Sequence, residues 1–518
     1  LPRELVERIL LLLDTECMLK CRLINREFNY IIRSSALLQY PLACKAAGVV
    51  DNPRSSLSCA ERLEALKMRE DAWRKLKPVF EMTISVKHQT VFQTCYSTEG
   101  VFFLRDGRNL DYCHLTSFPQ DKPRWIRIPG HGPSPNWSGI LVNSITALYE
   151  HDLIVNFISS DIQNQADMQR HSLDLVLLKF STGEYHPLAR RPRIHVQRSP
   201  EDKPLVDSKI VGDNLALVVH SNDGRFSDKL FIFDWKTGRK LLQHEATENP
   251  YSSLVFVSPE ILLVPNRVLS HFEVWHLPPQ QPNPKPPIQI LSLQIPAVSS
   301  GYSLHNFRCY AEPNSFLHSM SYLPPRPFFS SPENSIIMAR LRLSSNLGRH
   351  ASYNLIMHHR ALLDTIQTWT SPSLLEQQEY PPTWLTNEVT WGPHISRWFE
   401  VNDTRAARAV WITHSNGQRC AFLDPNPHDR RKMIVSVVDF NPYNFRRNAE
   451  MMARLGENKG KEEEEEEKFE VLDHKGVFSE DVFMGLKCVV HRAPDEYDFD
   501  VVLMDEERLF GVKVSNLK

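Results

Sequence analysis

The chain of 518 residues lacks any apolar run long enough to cross a membrane as a helix. The longest, Ile9 to Leu13, has five residues, where a span requires roughly 18 to 20. A charge of one sign is also missing. Sixty lysines and arginines nearly balance 62 aspartates and glutamates, so neither nucleic acid nor an anionic membrane surface is expected as a partner. The nine cysteines, at 17, 21, 44, 59, 95, 113, 309, 420 and 488, form no CxxC pair and no finger-like Cys/His spacing. Scattered through so long a chain, they read as small hydrophobes of a reducing compartment rather than a disulfide framework. The glycosylation tripeptides Asn136-Trp137-Ser138 and Asn402-Asp403-Thr404 are of a kind that long chains carry by chance. The sequence opens at Leu1 instead of Met, so a trimmed chain is expected, and any targeting segment before Leu1 is out of view.

Catalytic signatures are scarce as well. Gly301-Tyr302-Ser303-Leu304-His305 is a poor nucleophile elbow, because His replaces the final glycine and no strand–helix context surrounds it. Gly456 to Lys461 has the wrong spacing for a phosphate loop and is followed by glutamate. His358 and His359 are adjacent, so on a strand they would point to opposite faces and could not share a metal. There is no HExxH and no carboxylate pair that can be placed in one pocket. No enzyme, metal or cofactor is read from this sequence.

What is present starts at the N terminus. Pro2 suits a helical first turn, where its missing N–H costs nothing, and Leu5, Ile9, Leu12 and Leu13 follow at helical spacing, with Leu10 widening the stripe. Asp14 or Thr15 can cap a second helix carrying Cys17, Met18, Cys21 and Ile24 near one face and Leu19 and Leu23 on another. A third amphipathic stretch with Phe28, Ile31 and Ile32 follows Asn25. Three short helices in so few residues lie near the limit for independent folding, and apolar residues on more than one face suggest completion by a partner. Periodicity alone fits a helical cap on the next domain equally well.

Order and spacing add more. Leu1-Pro2-Arg3-Glu4-Leu5, then Ile9-Leu10, Leu13 and Leu19, and finally Cys21-Arg22-Leu23-Ile24-Asn25-Arg26-Glu27-Phe28 closely resemble the F-box motif. That motif opens Leu-Pro-x-Glu-(Ile/Leu) and closes (Val/Ile)-(Cys/Asn)-Arg-x-(Trp/Phe). The resemblance implies packing against a Skp-family adaptor that bridges to a cullin scaffold. It assigns that contact to Leu1, Pro2, Leu5, Ile9, Leu10, Leu13, Leu19, Leu23, Ile24, Arg26 and Phe28. The chain departs from the pattern at Phe28, where Trp is commoner, and at Cys17-Met18, where Asp-Leu is usual.

The hook is assigned to residues 1–40, and a linker with a connecting helix to 41–79. Pro41, Gly48, Pro53 and Ser55-Ser56 read as linker. Ser58 and Glu61 form a capping-box signature before Leu63, Leu66, Trp73 and Leu76, and Pro78 is the stop. From about residue 80 to 518 the pattern changes to short strand-like runs, among them Val101–Leu104, Leu153–Val155, Leu215–Val219, Leu230–Phe233, Ile261–Val264, Ala409–Ile412 and Ile434–Val438.

A faint repeat joins some of these strands. Thr182-Gly183 and Thr237-Gly238 each follow a strand such as Leu175–Phe180 or Leu230–Asp234, with a further strand upstream at His151–Val155 or Asp213–Leu217, and a third copy runs from Glu260 to Trp275. Recurrence at roughly 45–60 residues, with about four strands per unit, is the signature of propeller blades. The expected fold is mainly β behind an α-helical F-box, with a seven- or eight-bladed β-propeller body at about that spacing. The body resembles a divergent WD-like propeller of the fungal F-box type, though Asp234-Trp235 reverses the order of that family's closing dipeptide and its Gly-His partner is absent.

Loop insertions are expected near 278–287, which is rich in proline, near 324–332, and near 445–468, a helix followed by glutamates 462–467. Client contacts are sought at Trp137, Trp384, Trp391 and Trp398, because tryptophan anchors interfaces, although a Trp in a β body is more often core. The leading functional expectation is a non-catalytic, cytoplasmic or nuclear substrate receptor of a cullin–RING ubiquitin ligase with an unknown client. A scaffold without ubiquitination clients and a propeller enzyme with an unrelated helical cap are the alternatives.

Overall fold

The computed structural model describes residues 1–78, 80–83, 95–98, 101–106, 109–114, 124–131, 137–162, 170–248, 250–279, 285–311, 326–370, 382–386, 391–401, 415–429, 432–455 and 469–513. The strand expected at Ala409–Ile412, the tripeptide asparagines Asn136 and Asn402, Pro324-Pro325, the centre of the 278–287 stretch and glutamates 462–467 lie outside the described residues.

The hook is built from helices α1 (Arg3–Leu10), α2 (Thr15–Cys21), α3 (Arg26–Ser34) and α4 (Ala36–Ala47). Asp14 caps α2 by accepting from the Cys17 N–H at 2.7 Å, and Asn25 caps α3 by accepting from Phe28 N–H at 2.7 Å. Each cap satisfies a backbone donor that the first turn leaves unpaired. Val6, Leu10, Met18, Ile31, Ile32 and Leu38 close into a small core. Residues 41–47, expected as linker, continue α4 instead, through Pro41. A proline inside a helix costs about 3 kcal/mol, and the burial of Leu38, Tyr40 and Cys44 on the same helix offsets it. Helix α5 (Cys59–Lys75) begins with a complete capping box between Ser58 and Glu61.

The body is a ring of six antiparallel blades. The first comprises Cys95–Thr98, Val101–Asp106, Asn109–His114 and Trp125–Arg127; the second Ile140–Ala147, Leu153–Asp161, His171–Lys179 and Arg193–Ser199. The third comprises Leu205–Val211, Asn214–His220, Lys229–Asp234 and Arg239–Glu245; the fourth Val255–Ser258, Ile261–Asn266, His271–His276 and Ile288–Gln294. The fifth holds Tyr302–Tyr310, Ile336–Ser345, His350–His358 and Ser396–Glu400; the sixth Ser415–Asn416, Arg419–Pro425, Met433–Asp439 and Val489–Tyr497. Thr383–Leu385 adds a parallel fifth strand to the outer edge of the fourth blade. The repeated Thr-Gly turns are equivalent in the second and third blades: Gly183 and Gly238 both sit at φ 73°, a left-handed geometry that favours glycine.

Six blades replace the seven or eight expected from even spacing. The fifth blade stretches from Tyr302 to Glu400 because a turn of helix (Pro332–Asn334) and a full helix (His359–Trp369) are inserted between its strands. The sixth reaches from Ser415 to Tyr497 around a helix at Pro442–Leu455. These insertions use chain length that even spacing would assign to further blades.

Between the sixth blade and the first stands a two-stranded hairpin, Val501–Met504 with Leu509–Val512. Alternate side chains of its first strand face opposite ways. Val501 and Leu503 cluster with Phe102 of the first blade, and Val502 and Met504 with Ala421, Val435 and Val437 of the sixth. The hairpin thus fills the last sector of the ring.

Candidate functional site

Helices α1 to α3 bury one face in the hook's own core and leave a second apolar face bare. Leu1 is 87% exposed and Leu23 86%, and Leu5, Ile9, Leu13, Leu19 and Ile24 are also exposed large hydrophobics. Pro2, at the head of α1, and Arg26, opening α3, are exposed beside them. Two of the residues expected there lie elsewhere. Leu10 is only 3% exposed and belongs to the internal core, and Phe28 is half-buried against that core. In an eight-residue helix, Leu10 falls on the stripe with Val6, which faces Met18 and Ile31. Sequence reasoning passed over Leu12 and Tyr30 as contacts, yet both are exposed. Their signal was available, since Leu12 interrupts no core stripe.

A dense polar joint fixes this hook to the ring. Val49–Asp51 pairs as an antiparallel strand with Phe328–Ser330. The Tyr40 hydroxyl lies 2.8 Å from Asp51 and 3.1 Å from the Pro327 carbonyl, and Arg62 pairs with Asp51 at 2.5 Å. Further on, the Trp73 indole donates to the Glu506 carbonyl at 3.2 Å, and the Asn441 amide donates to the Ala46 carbonyl at 2.8 Å. Under α5, Glu70 is gripped by Arg69 and Arg419, and Arg419 also donates to Asp439 at 3.0 Å. Burial by itself would raise the Glu70 carboxyl, but the two guanidiniums hold it down at about 2. So many short contacts across one joint leave the hook little freedom to swing on the ring.

The four candidate tryptophans separate. Trp137, Trp391 and Trp398 are buried in the cores of the ring. Trp391 packs edge-on against Phe272 at 6.1 Å, and its indole donates to the Gln294 carbonyl at 3.0 Å. These three are not client contacts. Trp384 is 53% exposed, on the strand added to the fourth blade, with its ring 4.8 Å from that of His271. The indole of Trp384 alone among the four is open to a partner.

Two constellations look superficially catalytic. Ser303 is the second residue of the strand Tyr302–Tyr310, with His305 on the same strand, and does not stand at a strand-to-helix turn. Ser172, Asp174 and His195 meet at 2.9–3.0 Å, but both oxygens converge on the same Nδ1 of an exposed histidine. A relay needs its base between nucleophile and carboxylate, one nitrogen for each. His358 caps the helix that begins at His359, whose ring is buried. Among the described residues no group of three His, Cys, Asp or Glu side chains could hold a metal ion.

A cavity of about 710 Å³ opens on the face of the ring that carries the turns after the first and third strands of the blades. Pro187, Leu188, Leu277 and Pro278 form its apolar wall, with Lys179 and Lys236 at the rim. The joint to the hook involves turns of the same kind, at Gly417-Gln418 in the sixth blade, so cavity and hook share one face.

Residues 1–40 match the family model described as the F-box domain. No curated protein matches the chain. Several solved structures are similar to it, two of them described as WD40 domains. Hsv2p of Kluyveromyces lactis is 7% identical, covering 67% of this chain and 93% of that one at a TM-score of 0.28. The WD40 domain of SCAP from fission yeast is 10% identical, covering 65% and 70% at 0.28. The C-terminal WD40 domain of Sif2 is 8% identical, covering 58% and 87% at 0.26. Likenesses that distant carry no functional inference, and the propeller assignment rests on the sheet topology itself.

Proposed function

We propose that this chain, an F-box domain at residues 1–40 followed by a β-propeller, is the substrate-recognition subunit of an SCF-type cullin–RING ubiquitin ligase. The hook binds a Skp-family adaptor and through it a cullin. The ring holds the client, and the chain performs no chemistry of its own. The observation that carries this reading is the bare leucine-rich face of α1 to α3. A folded domain rarely leaves so many large side chains open unless a partner covers them, and each one buried is worth roughly 1.5–3 kcal/mol. The rigid joint supports the same reading, because it sets the distance from a bound client to the ubiquitin donor. A chain of this kind works in the cytoplasm, the nucleus or both.

Co-purification tests the proposal. The chain should bring down a Skp-family adaptor and cullin, and Leu5→Ala with Leu23→Ala, both on the bare face, should abolish both while the hook and the ring stay folded. Undiminished adaptor binding by that double variant overturns the assignment. Stabilisation of client proteins on deleting residues 1–40 separates a receptor from a scaffold that delivers nothing.

A further inference from the structure

The corner where the second and third blades meet gathers four arginines in a chain whose net charge is only −2. The Arg190 N–H donates to the Lys236 carbonyl at 2.8 Å, joining the two blades. Arg191 lies over the neighbouring turn so closely that a Cβ on Gly238 would meet its stem at 2.9 Å. Arg193 and Arg239 open the outer strands of the same two blades. All four arginines are exposed, and none makes an ion pair among the described residues.

The nearby carboxylates are mostly engaged. Asp213 pairs with Lys236 at 2.5 Å, and Asp234 accepts from the N–H groups and hydroxyl of its own turn. Asp152 accepts from Ser181 and faces Lys179 at 3.8 Å. Glu150 is buried and accepts from the Gly212 N–H. Among the described residues here, only Glu184 on the basic corner and Glu260 on the far rim of the cavity stand exposed without such a partner. Directly beside the arginines, Pro187 and the 55% exposed Leu188 form a wall of the cavity described above.

We propose that this corner docks an extended, carboxylate-rich segment of a client protein, with one apolar side chain seated against Pro187 and Leu188. A guanidinium fork matches a carboxylate bidentately, so Arg190, Arg191, Arg193 and Arg239 receive successive acidic side chains along the blade junction. The cavity supplies what charge alone lacks, a fixed position for the segment. The surface lies on the same face as the hook, which keeps the bound segment on the ligase side of the ring. The assignment rests on the receptor reading given above.

The test uses the full chain bound to its adaptor and a fluorescein-labelled peptide of alternating glutamate and leucine, followed by fluorescence anisotropy. Saturable binding is expected, weakened about tenfold or more by Arg190→Glu with Arg191→Glu, the scale expected for several charge pairs reversed together. Leu188→Asp should weaken it as well, and a peptide with lysine in place of glutamate should not bind. All three substituted side chains are exposed, so unchanged melting temperatures are expected, and Arg239→Gln provides a milder second variant. Absence of saturable binding overturns the proposal. So does equal binding by the charge-reversed chain, or a Leu188→Asp chain that binds as before while heparin displaces the peptide, which marks a surface for any polyanion. Adaptor capture is read in the same samples. Its failure counts against the receptor reading, whereas peptide loss with the adaptor retained counts against this surface alone.

Discussion

Arg419, on the second strand of the sixth blade, forms an ion pair with Glu70 of α5 and a second one, at 3.0 Å, with Asp439 on the neighbouring strand. One guanidinium therefore ties the helix behind the hook to two strands of the ring. Removing one member of a buried charge group leaves the others uncompensated. Glu70→Ala should therefore cost about 3 kcal/mol in urea unfolding and speed hydrogen exchange in α4 and α5. The Glu70 carboxyl sits at about 2 in the folded chain against an ordinary 4.5. Its stabilisation is complete above about pH 4.5 and lost as pH falls toward 2, so an acid titration of the wild type should show the joint weakening in that window and the variant should not.

Leu23 and Leu10 separate binding from folding. Leu23→Asp changes a side chain that is 86% exposed. It should leave the melting temperature within a degree or so of wild type and remove adaptor capture, since it sets a charge against an apolar partner face. Leu10→Ala opens a cavity in the hook's small core and should cost about 2–5 kcal/mol. Loss of adaptor binding with Leu10→Ala would then follow from unfolding of the hook, visible by circular dichroism.

The tryptophans divide the same way. Trp391→Ala removes a buried indole and its hydrogen bond to Gln294 and should cost about 3–5 kcal/mol. Trp384→Ala should leave the melting temperature almost unchanged, because that indole is half in solvent. Equal large losses for both would place Trp384 in the core as well.

Asp228 makes the ring sensitive to pH between about 4 and 7. Burial raises its carboxyl to about 7 from 3.8, while Tyr251 N–H donates to it at 2.9 Å. The folded chain therefore keeps this proton when the unfolded chain has lost it. The contribution of this one group is most favourable below about pH 4 and declines as pH rises from there through 7, by about 4 kcal/mol at most. Asp228→Asn keeps the acceptor for Tyr251 and carries no charge. Its melting temperature should rise relative to wild type between pH 4 and 7 and hold that advantage above. A difference that does not vary with pH would show that Asp228 is not the group titrating.

Much of the architecture was legible because its signals are local. The caps at Asp14, Asn25 and Ser58 are short-range hydrogen bonds written in adjacent residues. The equivalent turns at Gly183 and Gly238 share a left-handed geometry that glycine marks in the sequence. Blade number was not legible, since insertions in the fifth and sixth blades carry no periodic signature. Nor was the fate of the tryptophans, which depends on which face of a strand looks toward a neighbouring blade.

By itself, the sequence determined the helical hook, its order of apolar residues and the β character of the body, all of which rest on spacing within a few turns or strands. Tertiary structure alone decided that six blades and a hairpin close the ring. It also decided that Leu10 turns inward while Leu23 turns out, and that Glu70 meets Arg419. Ring closure and the Glu70–Arg419 pair join residues far apart in the chain, so they act only once the ring has formed, whereas the facing of Leu10 and Leu23 is set by how the short helices of the hook pack on one another.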